Sequence, residues 1–564
     1  MSLVLDVLVN LWRLVRNAYV RLLKRPPSYV VLEVRGSLPE LESRVGLLQR
    51  RLRPGPTGPS LEGLRGRLAR ISSDGRPQGV VLRLRNMDAG WAVLEELRRE
   101  LLTFRNHGGR VVAYLLDSVD SRSYYLACAA DEIVATPLAT IGVTGLRTRI
   151  NFLKDTLDRV GLEAEVIAVS PYKSAGDPYV RSDFSKESRE QAERLLDRRF
   201  EELVTAISQG RDLTPEETRA RIDGAPYAST EALSGALLDG ICYEDELPER
   251  LGRGEELAGL AEWETAHKAL CMPYRRSPRR RVGLVSLSGA IVRGRSRRLP
   301  VPLPLLGGEQ AGSDSVVAAL RLAEKNRRVT AVIFHVESPG GDALASDLIW
   351  REVERIRAKK PVVVLMGNVA ASGGYYVAAA ANHIVARRGT ITGSIGVLSI
   401  RPVASGLYEK LGVRPARVER GARSGLLDFS RRPTLDELRV LQEQIGFVYD
   451  QFKDRVARGR ALEPTDLEGR AGGRVWTGAE ALDLGLADEV GGFTEALRRA
   501  RELGKVKWDT PEALLKISAP RGGRPEPGRP AEAVREMAED VNQALLDLRT
   551  ARVWAVAPYD VIED

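Results

Sequence analysis

Cysteine, histidine and aromatic residues are all scarce in this chain, and each scarcity excludes something. The three cysteines, Cys128, Cys242 and Cys271, are odd in number and far apart. That excludes a disulfide framework and leaves room for one bridge at most. No two of them have metal-ligand spacing. The four histidines, His107, His267, His335 and His383, contain no His-Glu-x-x-His pattern, so no metal site is legible. Aromatics are only 5% of the residues. No basic stretch is interleaved with stacking rings and no RNP motif occurs, so a nucleic-acid partner finds no support. There is no Gly-x-Ser-x-Gly elbow. No apolar run reaches the ~18 residues of a membrane-spanning helix.

What is present is a chain of 564 residues, 43% of them hydrophobic, with a net charge of +9. That length predicts two or three domains, and that composition a folded protein. The positive charge is compatible with an anionic partner such as a lipid surface.

Residues 2–23 are apolar except for Asp6, Asn10, Arg13, Asn17 and Arg21, which recur every three or four residues. This predicts an amphipathic helix with one polar stripe. No small-residue cleavage site follows, so a removable signal peptide is not expected. Two uses suit such a helix: lying in a membrane surface, or packing on the body or on another subunit.

Beyond Pro26-Pro27, strands alternate with helices. Strands are expected at Val30–Val34, Val80–Leu84 and Val111–Leu116, helices at Leu61–Ile71 and Trp91–Phe104, and a loop over 53–60. The pattern predicts an α/β fold, a mostly parallel sheet covered by helices. The same order returns about 250 residues later. Strands are expected at Val282–Leu287, Val332–Phe334 and Val362–Leu365, and a helix at Leu344–Ile356. Tyr124-Tyr125-Leu126-Ala127 matches Tyr375-Tyr376-Val377-Ala378, and Tyr227-Ala228-Ser229 matches Trp476-Thr477-Gly478. One fold is written twice. The expected layout is the amphipathic helix at 1–25, a first copy at 26–275, a second at 276–505, and a linker, helix and apolar tail at 506–564. The linker is read at 519–531 and the helix at Glu532–Ala551. The closing run Val553–Tyr559 is too apolar for a free tail and is expected to dock.

Chemistry is carried by the places where the copies differ. The second has Val369-Ala370-Ala371-Ser372-Gly373-Gly374-Tyr375, a serine among residues with almost no side chain, followed by an apolar run. This predicts a tight turn opening into a buried helix, whose first amides favour negative charge. Alone, the turn reads as close packing. A second loop, Glu337-Ser338-Pro339-Gly340-Gly341, faces Asn86-Met87-Asp88-Ala89-Gly90 in the first copy. Paired glycines bring backbone amides close to a ligand, making Gly341 a candidate oxyanion donor beside Gly373. A nucleophilic serine needs a base. His335 lies in an expected strand and His383 deep in the apolar run, and each reads as a satisfied histidine. The alternative is a lysine made neutral by burial. Lys173, within Ser170-Pro171-Tyr172-Lys173-Ser174-Ala175, has small and aromatic neighbours, whereas the second copy has Arg423-Ser424 there.

Together these motifs resemble the signal peptide peptidase A family in its long, duplicated form, peptidase family S49 of the Clp-protease/crotonase-like fold group. The resemblance covers roughly residues 28–505 and is carried by four stretches. They are Ala371–Tyr375, Thr392-Gly393-Ser394-Ile395-Gly396-Val397, Tyr172–Ala175 with Asp177-Pro178-Tyr179, Arg181 and Ser188-Arg189-Glu190, and Val475-Trp476-Thr477-Gly478 with Gly485-Leu486-Ala487-Asp488. It implies a membrane-associated serine endopeptidase with a Ser–Lys dyad. Ser372 would be the nucleophile, Lys173 the general base and Ser394 the residue orienting the lysine. The amides of Gly341 and Gly373 would form the oxyanion hole. It further implies apolar signal-peptide remnants as substrates, a homotetramer, the bacterial inner membrane as location, and no metal or organic cofactor. Two features depart from the family. The N-terminal helix is amphipathic where long relatives often span the membrane, and Glu337 stands where the family usually has Asn. Two other classes remain open at this point: a crotonase-like acyl-thioester enzyme, which would leave Ser372 and Lys173 idle, and a non-catalytic scaffold for membrane partners.

Overall fold

The computed structural model describes residues 2–42, 59–252, 255–303, 307–507, 510–519, 554–556 and 562–563. Most of the predicted loop at 53–60, and the helix expected at Glu532–Ala551, lie outside the described residues. The chain forms two compact units, one of residues 1–147 and 196–277, the other of residues 148–195 and 278–564. The segment 148–195, which the repeat assigns to the first copy, thus belongs to the same compact unit as Ser372.

The first unit is built on a six-stranded sheet in the order Gly240–Ile241, Glu132–Ala135, Arg110–Leu115, Gly79–Met87, Tyr29–Gly36, Leu260–Glu262, all parallel. Strand residues alternate between faces. Val30, Leu32 and Val34 enter the core under helices Leu61–Asp74 and Trp91–Asn106, while Tyr29 and Val31 enter a smaller core on the other face. The helix Leu61–Asp74 starts where Ser60 accepts a hydrogen bond from Gly63 N and stops at Gly75, whose φ of 72° suits glycine. All three cysteines are buried and free.

The helix Ser2–Leu23 also belongs to this unit. It is held by its polar stripe. Asn10 and Asn17 each exchange a pair of hydrogen bonds with the backbones of Arg275 and Met272, Asp6 accepts from Ser277, and Arg13 donates to Pro273 O. Val20 is buried, but Leu8, Leu11, Trp12, Val15 and Leu22 are exposed, Leu22 by 81%. No helix among the described residues is long and apolar enough to cross a membrane.

The second unit repeats the plan. Its sheet runs Val475–Thr477, Ile391–Gly393, Val362–Ala371, Val329–Ser338, Arg281–Ser288, Leu514–Lys516, parallel except at the first pair. The repetition extends to register. Val119 and Asp120 pair with Ile141 and Gly142, and Ala370 and Ala371 pair with Thr392 and Gly393. A further sheet of seven strands runs Arg297–Leu303, Gly307–Gly312, Ala290–Val292, Gly340–Asp342, Trp554–Val556, Leu398–Val403, Glu163–Ala168. The apolar run expected to dock therefore contributes a strand.

Candidate active site

Ser372 stands at the junction of the strand Val362–Ala371 and the helix Gly373–Ala378. The strand delivers it. The helix starts at once because Tyr376 N donates to Ser372 O at 2.8 Å, and Ser372 N donates to Gly393 O at 2.8 Å. The turn requires φ 54° and ψ −115° at Ser372. A non-glycine residue there costs on the order of 1–3 kcal/mol and persists only when its surroundings fix it. Gly374 fits because an added Cβ would lie 2.6 Å from Ser338 O. The whole turn is buried, with Ser372 fully inaccessible.

Lys173 Nζ lies 2.6 Å from Ser372 Oγ, 2.9 Å from Ser394 Oγ and 3.0 Å from Ser394 O. The lysine is 1% exposed. Burial holds its pKa well below that of an ordinary lysine, with no charged neighbour offsetting the effect. Its nitrogen is surrounded by neutral oxygens, the environment in which an amine sheds its proton. Ser394 is itself held in a left-handed backbone, φ 49°, and its N–H donates to Arg474 O at 2.6 Å.

The lysine's segment is built into the wall of the site. Glu163–Ala168 pairs antiparallel with Leu398–Val403 over six residues, and Val169 N donates to Val397 O at 3.2 Å. On the other side Gly472-Gly473 passes so close that a methyl at Gly473 would sit 2.7 Å from Lys173 Cα. Gly472 N donates to Tyr449 OH at 3.0 Å. Two residues of the helix Lys186–Arg211 complete the clamp. Gln191 accepts from Val475 N at 2.9 Å and donates to Tyr172 O at 3.1 Å, and Arg194 pairs with Glu480 at 2.7 Å. The motif Ser188–Glu190 points to this helix but misses Gln191 and Arg194. Their i, i+3 spacing on one helix face is the signal that could have found them.

Gly340 and Gly341 form the short strand Gly340–Asp342. Gly340 has φ 105°, a conformation for glycine, and a side chain at Gly341 would run into Ile291 O. Gly373 is the first residue of its helix, where amides lack intrahelical partners. Glu337 ties two strands together, accepting hydrogen bonds from Asn368 N at 2.7 Å and Val369 N at 3.2 Å. The strand register shifts at this place. His383 pairs with Glu489 at 3.0 Å, as a satisfied histidine should. The fold thus brings Ser372, Lys173 and Ser394 into direct contact, with Gly373 adjacent to the serine in sequence.

A search against known families matches two. Peptidase family S49 matches residues 103–258 and 354–507, and Clp protease matches residues 307–391. The chloroplastic serine protease SPPA of Arabidopsis thaliana is 31% identical over 518 residues, covering 89% of this chain and 73% of that one. Protease 4 of Haemophilus influenzae is 30% identical over 462 residues, covering 78% and 73%. A protein of Enterococcus faecium provisionally named signal peptide peptidase SppA is 35% identical over 203 residues, covering 36% and 59%.

Proposed function

Since the chain belongs to peptidase family S49 and is a serine peptidase, we propose that it cleaves apolar peptides, such as remnants of signal peptides, through a dyad of Ser372 and Lys173. One observation carries this reading: a fully buried lysine without a counter-charge lies 2.6 Å from a serine that opens a helix. The neutral amine takes the hydroxyl proton as Ser372 Oγ attacks the scissile carbonyl. The amides of Gly341 and Gly373 stabilise the resulting oxyanion, and the lysine returns its proton to the leaving amine. Water then hydrolyses the acyl-enzyme with the lysine as base again. Ser394 holds the Nζ in line. An acyl-thioester enzyme would leave both dyad residues idle, and a scaffold would have no need of a strained serine.

The substrate class rests on the resemblance and on the name of the Enterococcus faecium relative. Peripheral attachment to the bacterial inner membrane fits the helix Ser2–Leu23, whose polar stripe is occupied by the protein and whose apolar face is bare. Such a face can enter a bilayer ~5–10 Å deep without crossing it. Assembly as a homotetramer is carried forward from the resemblance, and sedimentation of the purified protein tests it.

The decisive experiment treats the protein with a fluorophosphonate and reads the adduct by mass spectrometry, beside cleavage of a panel of apolar peptides. The label is expected on Ser372, and both Ser372→Ala and Lys173→Arg are expected to lose turnover. Near-normal turnover by either clean variant refutes the dyad.

A further inference from the structure

The strand that delivers Ser372 is irregular just before it arrives. Val336 pairs with Met366 and Ser338 with Ala370, so two steps along one strand face four along the other. The surplus is held in a bulge formed by Gly367, Asn368 and Val369. Bulged residues leave the ladder, and their amides need acceptors from elsewhere. Glu337, between Val336 and Ser338 on the neighbouring strand, supplies them. One carboxylate oxygen accepts from Asn368 N at 2.7 Å, the other from Val369 N at 3.2 Å. The carbonyls of the stretch are held separately, Met366 O by Arg387 Nη1 at 3.0 Å, Gly367 O by Thr390 Oγ1 at 2.8 Å and Ala370 O by Thr392 Oγ1 at 2.7 Å. Gly367 makes room for the carboxylate, since a methyl there would run into Glu337 Oε2.

The bulge decides where Ser372 falls. Each strand residue advances ~3.3 Å, and successive side chains point to opposite faces. A slip of one residue would move Ser372 by that much and turn its side chain to the other face. Beyond the bulge, Val369, Ala370 and Ala371 pair with Ile391, Thr392 and Gly393. Ser372 follows the one strand and Ser394 the other, and both meet Lys173 Nζ. The register that the bulge sets is therefore the one in which both serines reach the lysine. The first copy offers a comparison. It has Asn86 where the second has Glu337. There the chain breaks into separate strands, Arg110–Leu115 and Val119–Asp120. In the second copy one strand, Val362–Ala371, runs through.

We propose that Glu337 is a positioning residue for the reaction: its carboxylate, by holding Asn368 N and Val369 N, fixes the bulge and with it the place of Ser372 against Lys173. The proposal rests on Ser372 being the nucleophile, and Glu337 acts through the strand rather than on the reacting atoms. A carboxylate suits the task because it only accepts, and does so at both oxygens. A glutamine of the same shape would turn its NH2 group toward one of the two N–H donors, leaving that amide without its acceptor. The loss would fall on the geometry of attack, and so on kcat with KM little changed.

The test compares the full chain with Glu337→Gln, Gly367→Ala, the double variant and Ser372→Ala. Gly367→Ala displaces the carboxylate from the other side and leaves its charge in place. With a fluorogenic apolar peptide, each of these two single variants is expected to lose about tenfold in kcat per folded molecule, at a KM within about twofold of the parent, since a ~1 Å misplacement costs up to about a hundredfold. The double variant should be no slower than the slower single one, because both changes break the same contact. A parental kcat in Glu337→Gln, or losses that multiply in the double variant, overturns the proposal. A second readout needs no turnover. Amide exchange over residues 366–372, followed by mass spectrometry, should quicken at least several-fold in Glu337→Gln, and unchanged exchange overturns the hold on the bulge. If Glu337→Gln does not fold, Gly367→Ala decides alone by the same two readouts. Turnover that survives Ser372→Ala refutes the nucleophile, and exchange then decides whether Glu337 holds the bulge. An inactive Ser372→Ala beside a fully active Glu337→Gln refutes the role of Glu337 alone.

Discussion

On the proposed dyad the pH dependence of cleavage is set by a single buried amine, and Ser394 is the handle on it. At pH 7 a lysine of ordinary pKa, ~10.4, is neutral in about 4 molecules in 10,000. Every unit by which burial lowers the pKa raises that fraction tenfold. Lys173 is completely buried with its pKa driven well down. Its kcat/KM is therefore expected to climb tenfold per pH unit and to level off well below pH 10. Activity is lost as pH falls through the folded-state pKa, because protonation removes the base. Ser394→Ala deletes the acceptor 2.9 Å from Nζ and leaves the Ser394 carbonyl at 3.0 Å. A hydrogen bond to a charged donor is worth ~1.5–3 kcal/mol and one to a neutral donor ~1 kcal/mol. The loss falls mainly on the ammonium form, so the bend should move down by roughly 0.5–1.5 pH units, at ~1.4 kcal/mol per unit. The plateau should fall at least about tenfold, because the amine is no longer held in line. The assay is kcat/KM on a fluorogenic apolar peptide from pH 5.5 to 10, with Lys173→Arg as baseline. A bend that moves upward in Ser394→Ala, or a parent profile still climbing at pH 10, would refute the reasoning.

Other outcomes follow from the same geometry. Gly473→Ala should cut turnover by about a hundredfold, since its methyl must displace Lys173 and a ~1 Å misplacement costs that much; Gly469→Ala, whose methyl meets nothing within 4 Å, is the control. Stability to urea should rise with pH between the folded-state pKa of Lys173 and ~10.4, by up to ~1.4 kcal/mol per pH unit, because only the unfolded chain holds the extra proton there. Lys173→Met should remove that slope, and equal slopes in the two proteins would contradict a depressed pKa. Replacing Leu8, Leu11, Trp12 and Val15 by serine should weaken flotation with anionic vesicles while leaving cleavage of a soluble peptide intact; unchanged flotation would assign the bare face to another partner. Ser121→Ala should leave turnover unchanged, and a fluorophosphonate adduct on Ser121 would contradict this.

The sequence spoke most clearly where periodicity and punctuation agreed. The strands around Val30, Val80 and Val111 and the helices around Leu61 and Trp91 lie where the pattern places them. The duplication is legible to the level of paired residues. The strand expected at Val362–Leu365 extends to Ala371, because Gly367 and Asn368 interrupt the apolar pattern without ending the strand. Glu337 bridges that irregularity by accepting from Asn368 N and Val369 N. No local pattern announces such a contact. Glu163–Ala168 and Leu398–Val403 escape a reading of the sequence for a related reason: as neighbours in one sheet they match each other, and a long-range pairing leaves little trace in either stretch alone. The polar stripe of Ser2–Leu23 is plain in the sequence, but the side of the helix that meets the protein depends on free carbonyls at 272–275, which only the fold displays.

The two copies show why a serine at the right place is not yet a site. Ser121 stands in the first copy where Ser372 stands in the second, and its hydroxyl donates to Gly145 O at 2.7 Å, as Ser372 Oγ reaches toward Gly396 O at 3.4 Å. Everything around it differs. Ser121 is already the first residue of its helix and is spared the positive φ that Ser372 adopts. Asp120 caps that helix, accepting from Ser123 N at 2.8 Å, so a carboxylate already holds negative charge at the helix start where an oxyanion would have to form. The second copy has Ala371 at the matching position, which cannot cap, and its helix start stays open to developing negative charge. The lysine follows the opposite course. The second copy's equivalent, Arg423, lies at the surface against Asp436 at 3.0 Å, while Lys173 is buried against Ser372. An arginine could not give up its proton at either place. On the proposed dyad each copy carries the half of the chemistry that the other lacks, and the segment 148–195 places Lys173 in the same compact unit as Ser372.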